Sequence, residues 1–266
     1  MSHPLIADVT AAYLDAVDTE APGLVQGLYL VGSAAVGDFR PGASDIDFVA
    51  VSAQPVAEQG VAALRRAHTT LAARHPRPHF DGIYVTWADL AGEPSRVQPG
   101  AGAHEGRVHR RADGGWDPVA WHTLAECGVP IRGPGRADVP VWTDRTALIA
   151  WCRQNLTEYW QPWLRGSSRL VSRPGLVALS PWAAAWGVLG VSRLHYTIAT
   201  GAITSKAGAG GYARQTFHRR WWPVLDECLR IRSGGGGRSL YRSVLRRRRD
   251  ALDFVAMAID SASHTG

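Results

Sequence analysis

The sequence predicts an α+β chain: an N-terminal mixed sheet with helices, followed by an all-helical C-terminal bundle. Three observations carry this reading. Short apolar runs with strand-like alternation occur at 28–31, 44–51 and 80–86. Segments with apolar residues every three or four positions surround them. From Thr143 onward only long helical patterns remain. The change of character falls in the Pro- and Gly-containing stretch 134–141, so the expected domains are residues 1–138 and 139–266.

Residues 5–17 place Leu5, Val9, Tyr13 and Val17 on one helical face, and a loop with Pro22-Gly23 leads into the first strand. That strand, Leu28-Tyr29-Leu30-Val31, runs into a Gly32-Ser33 turn, and the second strand continues from Ser44 through Ile46, Phe48 and Val49. Pro55 is expected to open a helix that turns Val56, Val61, Leu64 and Leu71 toward the core. Phe80 to Thr86 reads as a third strand, which beside the second would bring Asp81 near Asp45 and Asp47. Glu93 to Gly115, rich in Gly, Pro and charge, reads as a loop bordering a cleft, with His104 and His109 solvated. Asp117-Pro118 caps and starts a helix through Cys127, stopped by Gly128, and an extended VPIRGP segment follows.

In the second half, Thr143-Asp144 caps a helix reaching about Trp163. Ser180-Pro181 starts another toward Thr200, stopped by Gly201, and Ser205 can cap the next. A further helix covers 221–231, and the glycines of 233–238 make a break. The last helix, from Ser239 to about Ile259, is expected to bury Leu240, Val244, Leu252, Val255 and Ile259 and to expose Arg246 to Arg249.

Composition sets outer limits. With 45% hydrophobic residues among 266, the chain can bury substantial cores and is not of the disordered class. No apolar run approaches the roughly 20 residues that cross a bilayer. The opening residues carry acids and no basic stretch, so neither a secretion signal nor a membrane partner is expected, and the location expected is cytoplasmic. Cys127, Cys152 and Cys228 are odd in number and widely spaced, which fits reduced thiols and makes no zinc pattern. The net charge of +6 comes almost wholly from arginine, and Lys206 is the only lysine. A basic balance suits ATP or nucleic acid, but no aromatic-and-basic track for a strand is present, so nucleic acid is not an expected partner. A monomer or weak homo-oligomer is expected.

The chemistry concentrates between Leu28 and Val51. Strand side chains alternate, so Asp45 and Asp47 share a face while Ile46 and Phe48 take the other. Two neighbouring carboxylates repel unless a cation lies between them. Oxygen ligands near phosphate suit Mg²⁺ or Mn²⁺, and a pair of ions is the usual phosphoryl-transfer device. The turn at Gly32 and Ser33 offers backbone N–H groups and a hydroxyl to phosphate oxygens. Asp81 could serve as a third metal ligand or as a base toward a hydroxyl.

An apolar residue, Gly32-Ser33, eleven residues, then Asp45-Ile46-Asp47 and an apolar residue resembles the signature of the nucleotidyltransferase superfamily. Residues 191–213, VSRLHYTIATGAITSKAGAGGYA, resemble the C-terminal helical domain of the bacterial aminoglycoside adenylyltransferases that modify streptomycin and spectinomycin. The matching positions are Ser192-Arg193-Leu194-His195-Tyr196, Thr200-Gly201 and Lys206, thirteen residues after the arginine. WDPVAWHTLAECGVPIRGP and NLTEYWQPW also look like members of this family.

The resemblance implies an active site between the halves. ATP would lie on Gly32 and Ser33, its phosphates held by Mg²⁺ on Asp45 and Asp47 and by Arg193 and Lys206. A hydroxyl of a small acceptor, helped by Asp81, would attack the α-phosphorus and expel pyrophosphate. Trp160 matches the tryptophan of the streptomycin site. Two departures matter: Asp81 is one methylene shorter than the family's glutamate, and no acid follows Trp160 until Asp226. The acceptor expected is therefore closer to spectinomycin than to streptomycin. The alternatives are the same chemistry on another metabolite or natural product, and a non-catalytic, antitoxin-like nucleotide binder. The intact Asp-Ile-Asp argues against the last.

Overall fold

The computed structural model describes residues 3–112 and 114–265. It divides into two compact units that meet between Asp144 and Arg145, a few residues beyond the expected boundary.

The first unit begins with helix α1 (Pro4–Glu20), strand β1 (Gly27–Leu30), the single-turn α2 (Gly32–Ala35), β2 (Ile46–Ser52) and α3 (Glu58–Arg74). β3 (Phe80–Thr86) and the short α4 (Trp87–Ala91) follow, then β4 (Gly102–His104), β5 (Arg107–His109), α5 (Pro118–Cys127) and β6 (Val129–Arg132). The strands form one mixed sheet in the order β5-β4-β3-β2-β1-β6. Only β2 and β3 are parallel, joined through α3; the other neighbours are antiparallel.

Alternation on β2 sorts the two faces. Ile46, Phe48 and Ala50 point into a cluster with Tyr13, Leu64 and Phe80, covered by α1 and α3. Phe48 stacks on Phe80 with centroids 4.5 Å apart. Val49 and Val51 point the other way, toward Ile83, Val85, Trp121 and Leu124. Each large side chain buried here stabilises the unit by about 1.5–3 kcal/mol. The consequence for the site is that Asp47, in step with Val49 and Val51, lies on the α5 face of the sheet.

Two expectations are corrected in this unit. Pro55 does not open α3, which starts at Glu58 after Ala57. The segment read as a loop contains the β4–β5 hairpin, which pairs Ala103 with Gly82 and extends the sheet past β3.

The second unit consists of α6 (Arg145–Asn155), a π-helical turn at Leu156–Trp160, α7 (Gln161–Ser168), α8 (Arg173–Val177), α9 (Pro181–Thr200), α10 (Lys206–Thr216), α11 (Trp222–Arg232) and α12 (Val244–Ser263). α9 is its axis, packing against α6, α10, α11 and α12. Its ends are set by sequence. Ser180 accepts from the Ala183 N–H at 3.1 Å, and Gly201 takes the left-handed φ of 67° that closes a helix without a Cβ clash.

The last helix differs from expectation. It begins at Val244, capped by Ser243, so Leu240 lies outside it and both Leu240 and Val244 are exposed. Arg247 is buried rather than solvated, donating to the Leu179 carbonyl and lying 3.9 Å from Glu227. Glu227 itself is fully buried, held by Arg230 at 2.9 Å, the Ser239 hydroxyl and the Leu240 N–H.

Candidate active site

β2 and β3 run parallel with Asp47 directly opposite Asp81. Both side chains therefore emerge on the α5 face near the start of their strands. They line a cavity of about 390 Å³ with Val31, Ile83, His104 and His109. Asp45 precedes β2 by one residue and is half-buried. Its Oδ1 accepts the His79 N–H at 3.2 Å and lies 3.7 Å from the exposed Arg77 guanidinium.

The Gly-Ser turn closes on the same place. Gly32 has φ of 57°, and a Cβ there would come within 2.0 Å of Asp47 Oδ2. Only glycine fits, for conformation and for space alike. The Val31 N–H donates to the Asp47 carbonyl at 2.9 Å, tying the end of β1 to β2. Ser33 follows in the first turn of α2, whose leading N–H groups are not used within the helix.

Asp81 is buried and meets the tip of the β4–β5 hairpin. Its Oδ2 accepts the Glu105 N–H at 3.0 Å and lies 3.5 Å from His104 Nδ1; the Gly106 N–H approaches Oδ1 at 3.5 Å. Burial pushes this carboxyl above the usual range, and nearby Asp45 adds to the effect. The two N–H donors and His104 pull it back without reversing it.

No group of three or more His, Cys, Asp or Glu side chains gathers closely enough to hold a metal among the described residues. That suits Mg²⁺ arriving with a nucleotide, since magnesium commonly takes one or two carboxylates and completes its shell with phosphate and water. Asp45 and Asp47 could offer such oxygens, and the glycine at 32 lets the turn approach Asp47 closely.

In the helical unit, residues 182, 186 and 193 of α9 fall on one stripe at 100° per residue, which groups Trp182, Trp186 and Arg193. Lys206, the first residue of α10, lies with its Nζ 4.7 Å over the Trp186 ring. The two cations singled out in the sequence thus belong to one aromatic face of this unit. Trp160 does not offer an open face. It is 5% exposed, its ring packed against Tyr159, Trp163 and Trp186. On this face Trp182 is exposed, at 61%, and stacks on Trp186.

Sequence reasoning missed Glu105 and Gly106; His104 is exposed, as expected, yet its Nδ1 lies beside Asp81. The only signal was faint: Glu-Gly lies between two three-residue runs whose central residues, Ala103 and Val108, are apolar and buried. None of the described helices is long and apolar enough to cross a membrane.

Two known domains match the chain. A nucleotidyltransferase domain matches residues 12–79, which hold Gly32, Ser33, Asp45 and Asp47. The aminoglycoside adenylyltransferase C-terminal domain matches residues 174–245, which hold Arg193 and Lys206. Asp81 and Trp160 lie outside both matches. No curated protein sequence matches the chain significantly. Among solved structures, spectinomycin adenyltransferase AAD(9) from Enterococcus faecialis, crystallised with ATP and spectinomycin, is similar in fold. Its TM-score is 0.69 at 11% identity, covering 94% of this chain and 99% of that one.

The match over the mixed-sheet unit makes the chain a nucleotidyltransferase. With the C-terminal domain it carries, it is one of the aminoglycoside adenylyltransferase type.

Proposed function

We propose that this enzyme transfers AMP from ATP to a hydroxyl of a small aminocyclitol antibiotic, releasing pyrophosphate, and that a spectinomycin-like acceptor is preferred over streptomycin. The observation that carries the reading is the register of Asp47 against Asp81 at one cavity, beside the glycine turn. Phosphate-binding and proton-accepting groups then adjoin each other, which is what adenylyl transfer to a hydroxyl needs.

In this reading Asp45 and Asp47 hold Mg²⁺, which when bound offsets the charge of the triphosphate. Gly32 and Ser33 seat the phosphates against backbone N–H groups. Arg193 and Lys206 add fixed positive charge, stabilising the oxygens that gather negative charge in the transition state. Asp81 takes the proton of the acceptor hydroxyl as its oxygen bonds to the α-phosphorus. One observation favours this role over metal ligation: Asp81 is occupied by the N–H donors of the hairpin tip. Its raised carboxyl is also the stronger base. Trp160 acts from beneath, supporting the Trp186 ring on which Lys206 lies.

The acceptor preference follows from charge. From Tyr159 to Leu225 the helical unit has no acid, while arginines stand at 165, 169, 173 and 193. A strongly cationic acceptor finds no spare carboxylate there. Incubation with labelled ATP, Mg²⁺ and a panel of aminocyclitols, read by mass spectrometry for an added AMP, tests the reading; an unmodified panel would refute it.

A further inference from the structure

The hairpin tip contains the feature that the transfer chemistry leaves unexplained. Glu105 has φ of 49° and Gly106 of 74°. A non-glycine residue in the left-handed region is uncommon, and such residues collect where a backbone is held for a purpose. Here the result is that both consecutive N–H groups point at one carboxylate, that of Asp81. The preceding residue, His104, brings its Nδ1 to the same carboxylate.

The contacts are unequal. Oδ2 has the short Glu105 bond at 3.0 Å, with the exposed His104 nitrogen nearby at 3.5 Å, whereas Oδ1 has only a long contact of 3.5 Å. A bond at 3.5 Å is weak, so Oδ1 keeps most of its capacity to accept. The two oxygens of one carboxylate are thereby made different.

We propose that the His104–Glu105–Gly106 tip is a positioning clamp for Asp81, holding Oδ2 so that Oδ1 receives the acceptor's proton. This rests on the adenylyl-transfer reading. In that step the acceptor O–H bond breaks and its proton passes to Oδ1. The acceptor oxygen bonds to the α-phosphorus, the bond from that phosphorus to the β-bridging oxygen breaks, and pyrophosphate leaves with those electrons. His104 touches no reacting atom; it acts through Asp81. The clamp also accounts for an aspartate at this position. The hairpin closes on a short side chain, and one more methylene would drive the carboxylate into the tip.

The test uses the full chain with ATP, Mg²⁺ and spectinomycin as the probe acceptor. Asp81→Asn should lower kcat by about 10²–10⁴-fold, the usual loss of a general base. Asp81→Glu should fall within about tenfold of Asp81→Asn instead of recovering activity. His104→Ala should lower kcat about tenfold with ATP affinity by calorimetry unchanged. His104→Asn, whose amide nitrogen can take the place of Nδ1, should recover to within about threefold of wild type. Asp81→Glu near wild-type activity, His104→Ala without effect, or His104→Asn as poor as His104→Ala would each overturn the clamp.

A readout independent of turnover is the amide proton shifts of Glu105 and Gly106. They should move in Asp81→Asn and stay in place in Asp45→Asn. Should wild-type enzyme modify no acceptor, the transfer reading fails and these shifts alone decide: displaced by Asp81→Asn, the clamp stands; unmoved, it falls.

Discussion

Asp81 of the sheet unit and Glu227 of the helical unit are both buried carboxylates, and their surroundings drive them in opposite directions. Burial raises Asp81, and the N–H donors at the hairpin tip only moderate the rise. Burial also raises Glu227, but Arg230, the Ser239 hydroxyl and the Leu240 N–H outweigh it and bring its carboxyl down to about 2. Glu227 has a guanidinium at 2.9 Å and a second, that of Arg247, at 3.9 Å. Asp81 has one exposed histidine and a cavity. What separates them is the counter-charge: a carboxylate sealed by arginines is committed to structure, while one held by neutral donors beside a cavity keeps its basicity for a ligand.

The comparison is sharpest when each kind of acid is removed. Asp45→Asn or Asp47→Asn should lower kcat on the order of 10³-fold while the melting temperature stays nearly constant. The double variant should be no worse than either single one, because the two act as a unit. A single variant keeping more than a tenth of wild-type kcat would show that these aspartates, too, are structural.

Glu227→Gln should do the reverse. Leaving Arg230 and Arg247 without their buried partner costs about 3–5 kcal/mol, which lowers Tm by on the order of 10 °C. The residual folded enzyme should turn over normally. The acid dependence has a definite sign. The unfolded carboxyl titrates near ~4.3, the folded one at about 2. Glu227 therefore contributes fully above the unfolded value, loses its contribution as pH falls through about 2, and gives none below. Urea titrations of wild type and Glu227→Gln between these values should converge; a constant gap would contradict the assignment.

Lys206→Ala gives the smallest separation of the two properties. Removing its contact with Trp186 costs the fold only about 0.5–1 kcal/mol, whereas a triphosphate should bind about tenfold more weakly. Unaltered ATP affinity by calorimetry would place Lys206 with the structural charges.

Much of this contrast was legible in the residues. The period of two through Ile46-Asp47-Phe48 and again through Phe80-Asp81-Gly82 put Asp47 and Asp81 on the face opposite Phe48 and Phe80, as the structure has them, whereas Asp45, expected within the strand, lies one residue before it. Ser180, Gly201 and Ser205 marked helix ends because caps are local chemistry. The hairpin was not legible as structure. Its strands have three residues each, too few for alternation to stand out, and Glu-Gly is a weaker turn signal than Asn-Gly or Asp-Gly. Arg247 was misjudged because a run of four arginines reads as solvated. Yet it lies one turn before Ala251 and on the buried stripe with Phe254 and Ala258. The burial of Trp160 depends on the π-helical turn and on the approach of Gly190, where a Cβ would come within 2.5 Å of its ring. That is tertiary information.

The most direct test of the account is kcat/KM for spectinomycin and streptomycin under one set of conditions with Mg²⁺ and ATP. Streptomycin carries two guanidinium groups, and in the proposed reading the carboxylates that line the cavity, Asp47 and Asp81, are taken by nucleotide and proton. An unpaired buried charge costs several kcal/mol, so spectinomycin should be preferred by about 10²-fold or more. Streptomycin used equally well or better would contradict the account, and would mean that another carboxylate completes the acceptor site.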